Sequence, residues 1–181
     1  MEAIELRCRC GAVRGEADFT RASRVRVICH CGDCGRWVRH LGRDDANEVV
    51  QTWPAFVRIT SGMEHVRCAK LRPKSGLRRW YTDCCKTPLA NTASRAGVPF
   101  VGLMCAMLAS KDDAVIGNAH HVNGEHRTPL SVMLRAAWAL IVGIIRGRSR
   151  PSPFFDARGA IVREPTVLND VADDRASLTQ S

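Results

Sequence analysis

Over its first hundred residues the chain alternates apolar and polar positions in short runs. Residues 4–8 and 11–19 alternate in part and are separated by Cys10-Gly11. Residues 24–29, Arg-Val-Arg-Val-Ile-Cys, alternate cleanly, as a half-buried strand does. Further strands are expected at 55–60, 65–71, 77–82 and 99–105, with turns at Ser61-Gly62 and Ser75-Gly76. Between 33 and 41, Trp37, Val38 and Leu41 fall at helical spacing and predict one short helix. Strands at this density predict small antiparallel sheets and a mainly β fold, not alternating βαβ units.

The pattern changes after Asn118. Thr128-Pro129 predicts a helix start, with Thr at the cap and Pro at the first helical position. Leu130, Met133, Leu134, Ala137, Trp138, Ile141 and Ile145 then make a wide apolar stripe, predicting a C-terminal amphipathic helix. Arg146, Arg148 and Arg150 oppose its negative end, and Pro151 and Pro153 stop it. The unbroken apolar run 136–145 has ten residues, against roughly 20 needed to span a bilayer. No transmembrane segment is therefore expected. The tail, rich in Asp, Arg, Ser and Thr, is expected to be extended and partly disordered near its end. The expected organisation is a β domain over 1–117, a helical extension over 118–155 and a tail over 156–181.

Composition changes this picture mainly through cysteine. The chain has 181 residues, 45% of them hydrophobic, enough for a core without staples, so its nine cysteines need not be disulfides. Acidic residues near the start, and no apolar stretch behind them, argue against an export signal. A cytoplasmic chain with reduced thiols is the expectation, and clustered cysteines then read as metal ligands. The net charge of +9, carried by 23 Arg and four Lys, favours anionic partners such as nucleic acid, phosphates or small carboxylates.

Cys29-His30-Cys31-Gly32-Asp33-Cys34 places three soft ligands within six residues, with Gly32 permitting a tight turn. Three protein ligands with an open fourth position is the layout of a catalytic zinc. The fourth position is open to water, a substrate thiolate or His30, although His30 points away from its neighbours if the backbone is extended. A Cys31–Cys34 disulfide is the competing reading. Cys8-Arg9-Cys10-Gly11 supplies two more ligands and needs others; Cys84-Cys85, preceded by Asp83, is the other close pair. Cys68 and Cys105 lie in apolar strands and read as core residues. His120, His121 and His126 read as surface loop residues.

These motifs bear a resemblance. Cys8-x-Cys10-Gly11, then Cys29-His30-Cys31-x-x-Cys34, then Cys-Lys-Thr-Pro-Leu at 85–89 is similar to the glutathione-dependent formaldehyde-activating enzyme family, which includes centromere protein V. The likeness covers residues 4–107. It implies a zinc-binding fold of the β-tent type, with a structural zinc on Cys8, Cys10 and Cys85. It also implies a second, active-site zinc on Cys29, Cys31 and Cys34, where glutathione binds. The chain departs from the family pattern at Thr82, which stands where that family carries a further cysteine. Cys84 or Asp83 is then the substitute ligand, or the site is altered.

The function expected is that of a zinc-dependent carbon–sulfur lyase, joining a small electrophile such as formaldehyde to a glutathione-type thiol. Arg36 and Arg39 are candidates for the thiol's carboxylates. The alternative is a non-catalytic zinc-stabilised binding module contacting nucleic acid or a protein. Nucleic acid is less favoured, because no basic–aromatic alternation marks a stacking platform. The apolar final helix points to homo-oligomer formation.

Overall fold

The computed structural model describes residues 3–43 and 47–168. In chain order the elements are β1 (Ile4–Arg7), β2 (Arg14–Ala17), β3 (Arg26–Cys29), α1 (Gly32–His40), β4 (Asn47–Thr52) and β5 (Val57–Ser61). They continue as β6 (Val66–Lys70), β7 (Leu77–Thr82), β8 (Pro88–Ala93), β9 (Val101–Met104), α2 (Asp113–Ile116), β10 (Ala119–Val122), α3 (Leu130–Ile145) and β11 (Thr166–Val167). The fold is mainly β with a C-terminal helix.

The first, second and fifth strands make a three-stranded sheet in the order β1-β2-β5. The other eight form one sheet in the order β10-β3-β4-β9-β8-β7-β6-β11. Its interior pairings are antiparallel, but both edge strands, β10 on β3 and β11 on β6, pair in parallel. The larger sheet is thus mixed, where small antiparallel sheets were expected. Parallel neighbours must be distant in sequence, and the edges are closed by segments from the C-terminal third.

The predicted strands recur, β7 with the expected bounds and the others with ends shifted or shortened by one to three residues. Two central strands were not foreseen. β8, Pro-Leu-Ala-Asn-Thr-Ala, is buried at five successive positions, so it lacks the alternation that marks a half-exposed strand. β4 carries Asn, Glu and Gln among its apolar positions and is likewise mostly buried. The larger of two apolar clusters includes Leu6, Val50, Trp80, Leu89, Leu103 and Phe154, and the smaller packs Trp37 and Leu41 of the α1 segment on Ala69 and Leu71. Trp80 and Phe154 meet at 4.8 Å between ring centroids, so residues beyond α3 return to the core.

α3 begins one residue later than its sequence signals suggest: Pro129 is the cap, and no side chain caps the helix. Its C-terminus turns at Gly147, whose φ is +60°, a left-handed geometry that glycine adopts without strain. One face docks on the end of β4. Trp53 Nε1 donates to the Ala139 carbonyl at 2.9 Å, and a Cβ on Gly143 would sit 2.7 Å from both Pro99 Cβ and Trp53 Nε1. Close approach, not flexibility, explains that glycine. The opposite face leaves Leu130, Met133, Leu134, Trp138, Ile141 and Ile145 exposed. Among the described residues no helix is long and apolar enough to cross a membrane. The disorder expected near the end of the tail falls on residues 169–181, outside those described.

Candidate metal centre

All nine cysteines are free, and seven of them fall into two groups. In the first, the turn after β1 presents Cys8 and Cys10, and the turn between β7 and β8 presents Cys84 and Cys85. Sulfur–sulfur distances are 3.6 Å for Cys8–Cys10, 4.0 Å for Cys8–Cys84, 3.4 Å for Cys10–Cys84 and 3.8 Å for Cys84–Cys85. Thiolate–metal bonds of about 2.3 Å place the sulfurs of a tetrahedral site about 3.8 Å apart. The donors therefore already stand at the spacing such an ion needs.

Polar neighbours prepare this group for charge. The Thr82 and Thr87 hydroxyls lie 3.4 and 3.1 Å from Cys85 Sγ, and the Val13 amide donates to Cys8 Sγ at 3.2 Å. Burial opposes ionisation of Cys85, but Thr82, Thr87 and Cys10 outweigh it and bring the thiol down to about 5. Burial, helped by hydrogen bonding with Cys10, pushes Cys84 up to about 12. Thr82, the departure from the expected pattern, thus holds a thiol instead of replacing one. Asp83 is turned to other partners: His65 Nδ1 at 3.2 Å and the Arg67 guanidinium. His65, Asp83 and Cys84 form a further set of converging donors beside the four thiols.

The second group sits where β3 ends and α1 begins. Cys29 is the last residue of β3, Cys31 caps α1, and Cys34 lies in its first turn. Their sulfurs converge, with Cys29 and Cys31 3.5 Å apart. The Cys34 and Gly35 amides both donate to the Cys31 carbonyl at 3.1 Å, which starts the helix, and the exposed amide ends there favour anionic sulfur. Hydrogen bonding from Cys34 is the largest influence on Cys29. With Cys31 and Asn123 it overcomes the opposing burial and brings Cys29 down to about 4. The same bond, together with burial, drives Cys34 up.

Residues the sequence did not single out complete these surroundings. Asn123, just beyond β10, donates from Nδ2 to Cys29 Sγ at 3.2 Å. Arg79 of β7 is only 5% exposed, lies over the Trp37 ring and approaches Cys34 Sγ at 4.0 Å. Asn47 is the register partner of Cys29 across β3 and β4. It is 4% exposed, and neither its Oδ1 nor its Nδ2 has a hydrogen-bond partner among the described residues. A buried amide left unpaired is costly.

His30 does not join the thiols. It lies with His121 and His126, and its Nε2 is 2.9 Å from His121 Nδ1. His120 and His121 belong to β10 rather than to a surface loop. Arg36 and Arg39 stand on α1. A cavity of about 400 Å³ is lined by Arg7, Arg9, Val38, Arg43 and Lys111; it borders Cys8 and none of the three thiols of the second group. Cys68 and Cys105 are buried, apart from either group.

Over residues 1–164 the chain matches a family of unknown function, DUF6151, and belongs to it. Among solved structures, the crystal structure of a Rhodobacter sphaeroides protein is similar to it, with a TM-score of 0.47 and 18% sequence identity. That likeness covers 66% of this chain and 100% of the other. None of the curated proteins compared with the chain matches it.

Proposed function

We propose that this member of the DUF6151 family is a zinc protein of the carbon–sulfur lyase type. It binds a small glutathione-like thiol at Cys29, Cys31 and Cys34, and adds or removes a small electrophile such as formaldehyde. The observation that carries this reading is the convergence of those three thiols, with no fourth Cys, His, Asp or Glu joining them among the described residues. A bound zinc there supplies a Lewis acid that stabilises a thiolate at neutral pH.

The chain's own residues do the rest. The start of α1 and the Arg79 guanidinium place positive charge beside the sulfurs, and Asn123 orients Cys29. The Asn47 amide, without a partner among the described residues, offers a hydrogen bond to whatever docks beside Cys29. Arg36 and Arg39 on α1 bring positive charge for the thiol's carboxylates. Cys8, Cys10, Cys84 and Cys85 form a closed structural zinc site that fastens the end of β1 to the β7–β8 turn. The fold is then a zinc-binding one of the β-tent type, and the thiol ligands imply a reducing, cytoplasmic setting.

Calorimetric titration with reduced glutathione, after zinc per chain has been counted, tests the proposal. Saturable binding that disappears in Cys34→Ala is the expected result. Absence of binding at large excess, with zinc still bound, sinks it. One observation favours a second reading, a zinc-stabilised module that pairs with another copy of itself: the apolar outer face of α3.

A further inference from the structure

We propose that His30, His121 and His126 form a third metal site, which binds zinc or a comparable first-row divalent cation through three imidazoles. This site is separate from the cysteine groups and does not rest on the thiol chemistry proposed for them. Its donors are nitrogen alone, a set suited to Zn²⁺, Co²⁺, Ni²⁺ and Cu²⁺.

The geometry is imposed by the backbone. In the parallel pairing of β10 with β3, His121 is the register partner of Ile28 and Val122 that of Cys29. The ladder runs one step further, the His30 amide donating to the Val122 carbonyl at 3.0 Å. Side chains on paired strands alternate between faces, so His30 shares the face of Ile28 and His121, while Cys29 takes the other. One short stretch thus sends thiol donors to one side and an imidazole to the opposite side. The third histidine arrives by a turn. Asn123 and Gly124 both have φ of +62°, and the His126 amide donates back to the Asn123 carbonyl at 3.1 Å. Gly124 lies directly against His30, where an added Cβ would come within 3.0 Å of His30 Cβ and 3.1 Å of its carbonyl oxygen.

The resulting rings are mutually close. Centroid separations are 5.2 Å for His30–His121, 4.7 Å for His30–His126 and 5.1 Å for His121–His126. One nitrogen from each lies within 4.8 Å of the others. Zn–N bonds of about 2.0–2.1 Å put two nitrogens of a tetrahedral site about 3.3–3.4 Å apart. The 2.9 Å between His30 Nε2 and His121 Nδ1 falls short of that by only a few tenths of an ångström. All three residues are exposed, so an ion can enter from solvent and keep an open position facing outward, the arrangement that leaves room for water or a small anion.

The test uses the full chain, stripped of metal under reducing conditions and reloaded with Zn²⁺ or Co²⁺. Bound equivalents are counted after removal of free ion, and cobalt spectra are recorded. Sulfur ligands give an intense thiolate-to-cobalt absorption that an all-imidazole site lacks, so the two kinds of site are read separately. His121→Ala and His126→Ala are expected each to bind one equivalent fewer than the parent, with the thiolate absorption undiminished. Gly124→Val keeps every histidine but pushes the turn away from His30, and is expected to weaken the same equivalent roughly tenfold or more, as losses of supporting structure around a metal do. An unchanged number of equivalents in both alanine variants overturns the proposal. So does a loss that removes thiolate absorption in proportion, which would assign the missing ion to the cysteines.

Discussion

At the scale of single residues, Arg79 brings a buried positive charge to the second cysteine group. Its guanidinium is almost wholly buried, stacked over Trp37 and directed at Cys34 and Asn91. A buried cation needs an anionic neighbour to offset lost hydration, and a thiolate group supplies one. Arg79→Met keeps most of the volume and removes the charge. The expected outcome is a 10–100-fold loss of metal affinity at this group, read by competition with a chromophoric chelator; an unchanged affinity would show that Arg79 serves packing alone. The cysteines were legible in the sequence because local spacing groups them. Arg79, Asn47 and Asn123 were not. They reach Cys34 and Cys29 through strand register and chain crossing, and nothing in their flanking residues signals that.

At the scale of elements, α3 was the most legible piece, since its apolar residues recur at helical spacing over 16 residues. What that periodicity hid was which apolar side faces the core. The docked face consists mainly of small residues, Ala139 and Gly143 with Val132 and Val142, while the large ones, such as Leu134 at 61% and Trp138 at 60%, face outward. Pairing between copies is the expected use of that face, by the second reading above. Light scattering should then give twice the 20.0 kDa chain mass, falling to a single chain in a Leu134→Asp, Trp138→Asp variant. A single-chain mass for the parent protein at every concentration removes self-pairing. The strands show the converse: β3, half-buried at every position, lies in a run that alternates apolar and polar residues, whereas β8, buried at five successive positions, carries small and polar residues that resemble a loop. β10 was missed because two histidines occupy its middle.

Across the whole molecule, the first cysteine group stands where the end of β1 in the small sheet meets the β7–β8 turn of the large one, and the core holds two further thiols. Cys68 and Cys105 are each pushed up to about 12 by burial, from an ordinary 9.0. Unfolded, both ionise above pH 9.0; folded, they keep their protons until about 12. The folded state therefore binds more protons in that window, and stability, fully present below it, falls as pH rises through it. Each thiol contributes a slope of up to about 1.4 kcal/mol per pH unit. Urea unfolding on both sides of pH 9.0 should show this decline, and a Cys68→Ala, Cys105→Ala variant should show a shallower one from a lower starting stability. An equal slope in the variant would assign the decline to other groups.

The parallel seam between β3 and β10 also sets an order in time. His30 and His121 meet across 91 residues of chain, so their strands join only after that span has been gathered, and contacts of such separation form slowly. This seam is expected to close late in folding. Interactions that form after the rate-limiting step retard unfolding without hastening folding. An ion held by His30 and His121, as proposed above, would then act as a latch, lengthening the lifetime of the native state while leaving the speed of its assembly unchanged.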